Sequence, residues 1–404
     1  MAGPRIHGSA TRAALPRTVV VVGFVSLLND SASEMITPLL PIFLTATLGA
    51  GPAIVGLVEG IAEATASILK LLSGWLADRG VSPKWLVVGG YGASNAARPL
   101  IALVLSWPFV LLLRFLDRAG KGVRTAPRDA LIAGATSPVN RGRAFGYHRS
   151  MDHAGAVIGP LLAFALLSAG APTRSVFLWS VVPGILVMLL LVFGLPRDAS
   201  IGPREEAVRL SWSTLDARVR QLIVAAGVLA LASVPEVFVV LWARQQGLPL
   251  AWVPLVWAAA SLGKMLLAYP AGVLADLVGR VPLLLAGWSL RVAVLFALAL
   301  ATASGPLVWL IFIAYSATLA LTEPAERSLI GDRAPASQRG TAYGVYHLAC
   351  GLFVLPGAVL FGALWQAYGS RSAFLFAAVL TAVAAIGMAI VARPVRAERN
   401  ARGH

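Results

Sequence analysis

Apolar runs close to 20 residues or longer recur along this chain with short polar breaks, the length an α-helix needs to cross the hydrocarbon core of a bilayer. They fall at 18–45, 53–77, 84–105, 108–134, 143–168, 175–195, 219–243, 251–275, 281–302, 306–331, 340–367 and 372–392. The pattern predicts an all-α integral membrane protein of twelve transmembrane helices. One longer polar segment, 196–218, interrupts the rhythm at mid-chain with Arg197, Arg204, Glu205, Glu206, Arg209, Asp216 and Arg218. The expected organisation is a tail at 1–17, a six-helix bundle at 18–195, a linker at 196–218, a second bundle at 219–393 and a tail at 394–404.

The two halves repeat each other. Gly74-Trp-Leu-Ala-Asp78 returns as Gly272-Val-Leu-Ala-Asp276, Leu131-Ile132 as Leu329-Ile330, and Arg141-Gly-Arg-Ala-Phe-Gly146 as Arg339-Gly-Thr-Ala-Tyr-Gly344. The offset is constant over all three pairs. Copies six spans apart share orientation, so the expected axis runs along the membrane normal, with a solute site at the interface of the halves.

Composition supports the membrane reading. Only 13% of residues are charged, against roughly 25% in soluble domains, so lipid has to serve as the outer solvent. The net charge of +15 does not imply a nucleic-acid partner, because the basic residues are scattered through short loops. Cys350 is the single cysteine, which excludes an intrachain disulfide and a cysteine metal cage. The first apolar run is too long for a signal-peptide core and reads as an uncleaved span. Basic residues concentrate in one set of alternate loops (Arg79 and Lys84, Arg141 and Arg143, the linker, Arg280, Arg333 and Arg339) and in the tails. By the positive-inside rule both termini are expected in the cytoplasm. The preference for Arg over Lys and the very short loops point to a multi-pass protein of a bacterial inner membrane, expected to be a monomer.

Charges inside the spans carry the chemistry, since each costs roughly 2.5–3.5 kcal/mol at the bilayer centre. Asp30, Ser33, Glu34 and Thr37 share one face of span 1, and Glu59, Glu63, Ser67 and Lys70 one face of span 2. Span 4 carries Arg114, Asp117, Arg118, Lys121, Arg124 and Arg128 on one stripe. Span 5 adds His148, Arg149, Asp152 and His153; the second half adds Glu236, Lys264, Glu323, Glu326, Arg327 and His347. Spans 6 and 12 have no ionisable core residue and are expected to face lipid. The charged faces either converge on an aqueous cavity or lock helix to helix as buried ion pairs, and both readings stand. Asp30, Glu34, Glu59, Glu63, Asp117, His148, Asp152, His153, Glu236 and Glu323 are the candidate cavity residues.

Several of these segments resemble the major facilitator superfamily. Gly74-x-x-x-Asp78-Arg79 and Gly272-x-x-x-Asp276-x-x-Gly279-Arg280 are similar to its loop motif after the second span of each half. Arg114 with Gly120 and Gly122 resembles its span-4 motif. Gly155-Ala-Val-Ile-Gly159-Pro160 and Pro38-Leu-Leu-Pro41 resemble motifs of its drug:proton antiporter branch. The resemblance implies alternating access, two six-helix bundles rocking about a central site, with these residues as gating elements.

No nucleotide-binding loop of the G-x-x-x-x-G-K-[ST] form and no H-E-x-x-H or G-x-S-x-G motif is present, so an ion or solute gradient is the expected driving force and an enzyme is not expected. No cofactor is expected. Protonatable groups in an enclosed cavity suit proton coupling, with Asp30 or Glu34 as the main acid and Glu59 or Glu63 second. The expected function is proton-coupled export of a small amphipathic compound; the alternative is transport of a metal ion, a metal chelate such as a siderophore, or a small organic anion. His148, Met151 and His153 are the residues a metal reading would use. The expected partners are lipid, the solute and protons.

Overall fold

The computed structural model describes residues 15–79, 81–137, 140–195, 212, 215–302, 304–334 and 339–392. Most of the linker and both tails lie outside the described residues, as do the side chains of Asp78 and Arg327.

Nine helical segments among the described residues are long and apolar enough to cross a membrane. One of them, Ala342–Val391, is 50 residues long and makes two crossings, because its chain turns at Gly369 with φ 83°. A side chain at that angle would clash with its own backbone, so glycine sets the turn. Two further helices, Pro83–Leu100 and Trp107–Gly134, complete twelve. Trp107–Gly134 is kept out of the apolar set by its interior charges, and Pro83–Leu100 by its glycines, Ser94, Asn95 and Arg98.

In chain order the spans are α1 (Arg17–Ile36), α2 (Pro52–Asp78), α3 (Pro83–Leu100), α4 (Trp107–Gly134), α5 (Arg141–Ser168) and α6 (Thr173–Trp179 with Val181–Leu189). The second half holds α7 (Ala217–Ala232 with Glu236–Gln245), α8 (Val253–Val278), α9 (Arg280–Leu300), α10 (Pro306–Arg333), α11 (339–368) and α12 (370–392). The spans match the hydropathy reading, with two internal corrections. α1 stops at Ile36, turns, and resumes through Leu40–Ile42 and a π turn at Phe43–Thr47, where Pro38 and Pro41 lack backbone donors. α7 was expected to be continuous and is interrupted at 233–235, because Pro235 removes a donor and disfavours helix at Val234. Lipid cannot satisfy the freed carbonyls. The Tyr315 hydroxyl donates to the Val234 carbonyl, and Thr381 Oγ1 donates to Ala232 O at 3.4 Å.

Helices in lipid gain little from the hydrophobic effect and associate through close packing. Glycines permit that closeness. A Cβ on Gly155 would lie 2.4 Å from Leu27 O, and one on Gly159 2.4 Å from Ser31 O, so these two glycines seat α5 against α1. Across the seam between halves, a Cβ on Gly56 would meet Ala358 O at 2.2 Å and one on Gly362 would meet Pro52 O at 2.4 Å, seating α2 against α11. α5 and α8 make the other extensive seam contact.

The apolar core is continuous across both halves at one end only. There Phe43, Val55, Val110 and Phe177 from the first half join Phe238, Trp257, Phe361 and Phe374 from the second. At the end where α1 begins and α12 finishes, the core divides: Val19, Tyr91, Ile132 and Leu191 pack within the first half, and Leu222, Trp288, Leu329 and Met388 within the second. α6 and α12 expose Ile185, Leu186, Val379 and Ile386 outward, as expected for lipid-facing helices.

Candidate functional site

The charged faces of α1, α2 and α4 turn inward, opposite the exposed Ile68, Leu72, Phe115 and Leu116. They divide into two groups, one closed and one open.

The closed group is a buried chain of alternating charge. Arg98 of α3 bonds Asp117 of α4 at 2.9 Å; Arg114 bonds the other Asp117 oxygen at 3.2 Å and Glu59 of α2 at 3.1 Å. Arg98 also donates to Asn29 Oδ1 of α1 at 2.9 Å. Four helices are thereby cross-linked. Arg124 belongs to the same layer, donating to Ser94 Oγ at 2.6 Å and lying over the Tyr91 ring. Asp117, placed on the cavity by its sequence position, is 1% exposed and bracketed by two guanidinium groups. Glu59 is likewise engaged by Arg114. Both are held in ion pairs by the basic stripe of α4.

His148 is also engaged by a neighbouring helix. It is 3% exposed, its Nε2 lies 2.7 Å from Ser26 Oγ, and its Nδ1 lies 3.5 Å from Asp152. This packing separates it from Met151 and His153 as a set of metal donors. Among the described residues no group of three His, Cys, Asp or Glu side chains is arranged to hold a metal ion.

The open group lies along the seam. Glu34 accepts a hydrogen bond from Trp257 Nε1 of α8 at 2.8 Å, a contact between residues 223 apart that joins the two halves. Asp30 stands one turn away and accepts from Asn29 Nδ2 at 3.0 Å. Glu63 and Lys121 are exposed on these interior faces, and Glu323 is exposed on α10. Asp152 and His153 are partly exposed on α5, Asp152 lying 3.6 Å from Arg149.

In the second half Lys264 of α8 bonds Glu236 at 2.8 Å, and Ser316 donates to the same carboxylate at 2.6 Å. Glu236 opens the second segment of α7, immediately after the break. Arg291 of α9 plays the part Arg98 plays in the first half, tying the first and fourth helices of its bundle. It donates to Thr318 Oγ1 at 3.0 Å, Thr322 Oγ1 at 3.0 Å and Ser233 Oγ at 3.4 Å, and among the described residues it bonds no carboxylate.

At the divided end, Arg280 bridges Asp276 of α8 and Asp332 of α10, the latter at 3.2 Å. Gly279 between α8 and α9 has φ 93°, which requires glycine there. In the first copy Arg79 stacks on Trp75, 3.9 Å from its ring centroid. A Cβ on Gly74 would meet Ala126 at 3.5 Å, ordinary contact, and one on Gly272 would meet nothing. Pro160 is buried beside Gly159.

Sequence reasoning missed Arg98, Arg291 and Trp257. The first two were legible as intramembrane cations in spans 3 and 9; Trp257 carried no signal beyond its span.

The family model of the Major Facilitator Superfamily matches residues 22–263 and 250–403. An uncharacterized MFS-type transporter of Methanocaldococcus jannaschii is 29% identical over 379 residues, covering 92% of this chain and 94% of that protein. The multidrug resistance protein MdtH of Aeromonas hydrophila is 31% identical over 156 residues, 38% of this chain and 36% of that protein. The fold is similar to a bacterial homolog of the human lysosomal transporter Spinster, crystallised inward-facing and occupied, with TM-score 0.76, 17% identity, and coverage of 93% of this chain and 96% of that one.

Proposed function

This chain belongs to the major facilitator superfamily of membrane transporters, and on that premise we propose that it is a proton-coupled carrier of a small amphipathic compound, with Glu34 and Asp30 as its coupling acids. The carrying observation is the Glu34–Trp257 hydrogen bond. It places a titratable carboxylate at the contact between halves, so gaining or losing a proton there changes the free energy of that contact. An ion can drive a conformational equilibrium only through such a differential interaction.

Division of the apolar core at the terminal end supports a state open towards that end. With the termini in the cytoplasm of a bacterial cell, as the basic loops favour, this state is inward-facing. The likeness to MdtH over part of the chain supports an amphipathic cargo and export as the direction. Glu63, exposed and close to Lys121, takes the secondary role that Glu59 loses to Arg114.

Proteoliposomes carrying an imposed proton gradient, with a panel of fluorescent amphipathic dyes and aryl carboxylates as probes, test the proposal. Glu34→Gln and Asp30→Asn are expected to abolish gradient-driven accumulation while leaving downhill exchange measurable. Coupling unchanged in both variants overturns the assignment.

A further inference from the structure

The interior cations of α4 each reach at least one side-chain partner, with two exceptions, although Arg114 Nε is itself buried without an acceptor. Arg114 has Asp117 and Glu59, Arg124 has Ser94 and the Tyr91 ring, and Arg128 has Asp129 at 2.9 Å. Arg118 and Lys121, less than one turn apart, have no side-chain hydrogen bond or ion pair with any described residue, and Arg118 Nε is buried without an acceptor. Carboxylates are near: Glu59, Glu63 and Glu34 around Arg118, and Glu63 and Asp30 around Lys121, none at ion-pair distance. A buried donor left without a partner is costly and uncommon in a native fold. Lys121 and Glu63 are exposed here, so solvent-accessible space adjoins these cations.

We infer that Arg118, assisted by Lys121, is the anchor for an anionic group on the transported compound, so that the substrate class is an amphipathic organic anion such as a carboxylate or sulfonate with an apolar body. This rests on the central-carrier reading above and narrows its cargo. A guanidinium presents parallel donors that match two oxygens of a carboxylate or sulfonate. Trp257, buried in the seam, holds Glu34, one of the carboxylates near Arg118, by its indole N–H. The anion completes the coordination that the fold leaves open, and the remaining cations of the stripe are not available to compete because their partners hold them.

Binding to the purified full-length protein in detergent tests the inference without a gradient, so it fails or succeeds separately from proton coupling. The probes are 2-naphthoate and 2-naphthalenesulfonate, a series of aliphatic carboxylates, and 2-naphthamide and 2-naphthylmethylamine as neutral and cationic counterparts. Dissociation constants come from equilibrium dialysis, with ligand-induced thermal stabilisation alongside. The anions are expected to bind at least about tenfold more tightly than the amide, and Arg118→Gln to remove that margin. Arg118→Lys is expected to retain part of it and Lys121→Gln to reduce it, which keeps the test decisive if Arg118→Gln fails to fold. Equal anion affinity in wild type and a folded Arg118→Gln, preference for the amine, or no anion-selective stabilisation across the whole series overturns the inference.

Discussion

Replacing Asp117 by asparagine preserves its size and removes the charge that two buried guanidinium groups share. Asp117 is 1% exposed and bonds Arg98 at 2.9 Å and Arg114 at 3.2 Å. After the change Arg114 keeps Glu59, but Arg98 is left with the neutral oxygens of Asn29 and Asn95. Removing one partner from a buried pair costs about 3–5 kcal/mol, since it strands the other charge. The surviving Glu59 contact places Asp117→Asn at the lower end of that range. Arg291→Met is the contrasting case. Its partners are neutral, and Thr318 and Thr322 each retain another acceptor, Tyr315 O at 2.7 Å and Thr318 O at 3.1 Å. No ion pair is broken, since Arg291 is within salt-bridge distance of no described carboxylate, so its cost is expected near 1 kcal/mol or below. Thermal unfolding of the purified protein in detergent, with size-exclusion profiles before and after heating, reads the difference. Asp117→Asn should melt well below both wild type and Arg291→Met. Equal midpoints, or the reverse order, refute the view that the first-half network is a structural lock.

Gly155→Leu should lose monodisperse protein on size exclusion, because even its Cβ would sit 2.4 Å from Leu27 O, whereas Gly146→Ala, with nothing within 4 Å, should behave as wild type. Gly279→Ala should lower the unfolding midpoint through about 1–2 kcal/mol of left-handed strain, and Gly272→Ala, in open helical surroundings, should not. Lys264→Met should destabilise by leaving Glu236 with Ser316 alone, and adding Glu236→Gln should recover most of the loss. Trp257→Phe should shift the proton dependence of transport measured in proteoliposomes, because it keeps an aromatic ring in the seam and deletes the donor to Glu34.

The spans, their duplication and the inward charge were legible because each is written locally, in hydropathy and helical periodicity. The same locality explains the errors. Whether Asp117 faces a cavity or a salt bridge depends on Arg98, which belongs to another helix and reaches it only after folding. The Glu34 contact depends on a tryptophan 223 residues away. The five basic residues of the α4 stripe were not told apart by their spacing; the structure gives three of them side-chain partners and gives Arg118 and Lys121 none among the described residues. The interruption of α7 was recoverable, since Pro235 stands mid-span and proline breaks helices wherever it falls.

Reaction of Lys121→Cys, in a Cys350→Ser background, with a membrane-impermeant maleimide in right-side-out and inside-out vesicles probes the alternating path most directly. Labelling from both sides is expected, with conditions that favour one orientation slowing it from the other. A cysteine at that position unreactive from either side would mean the interior charges never meet water, and the carrier mechanism built on them would not hold.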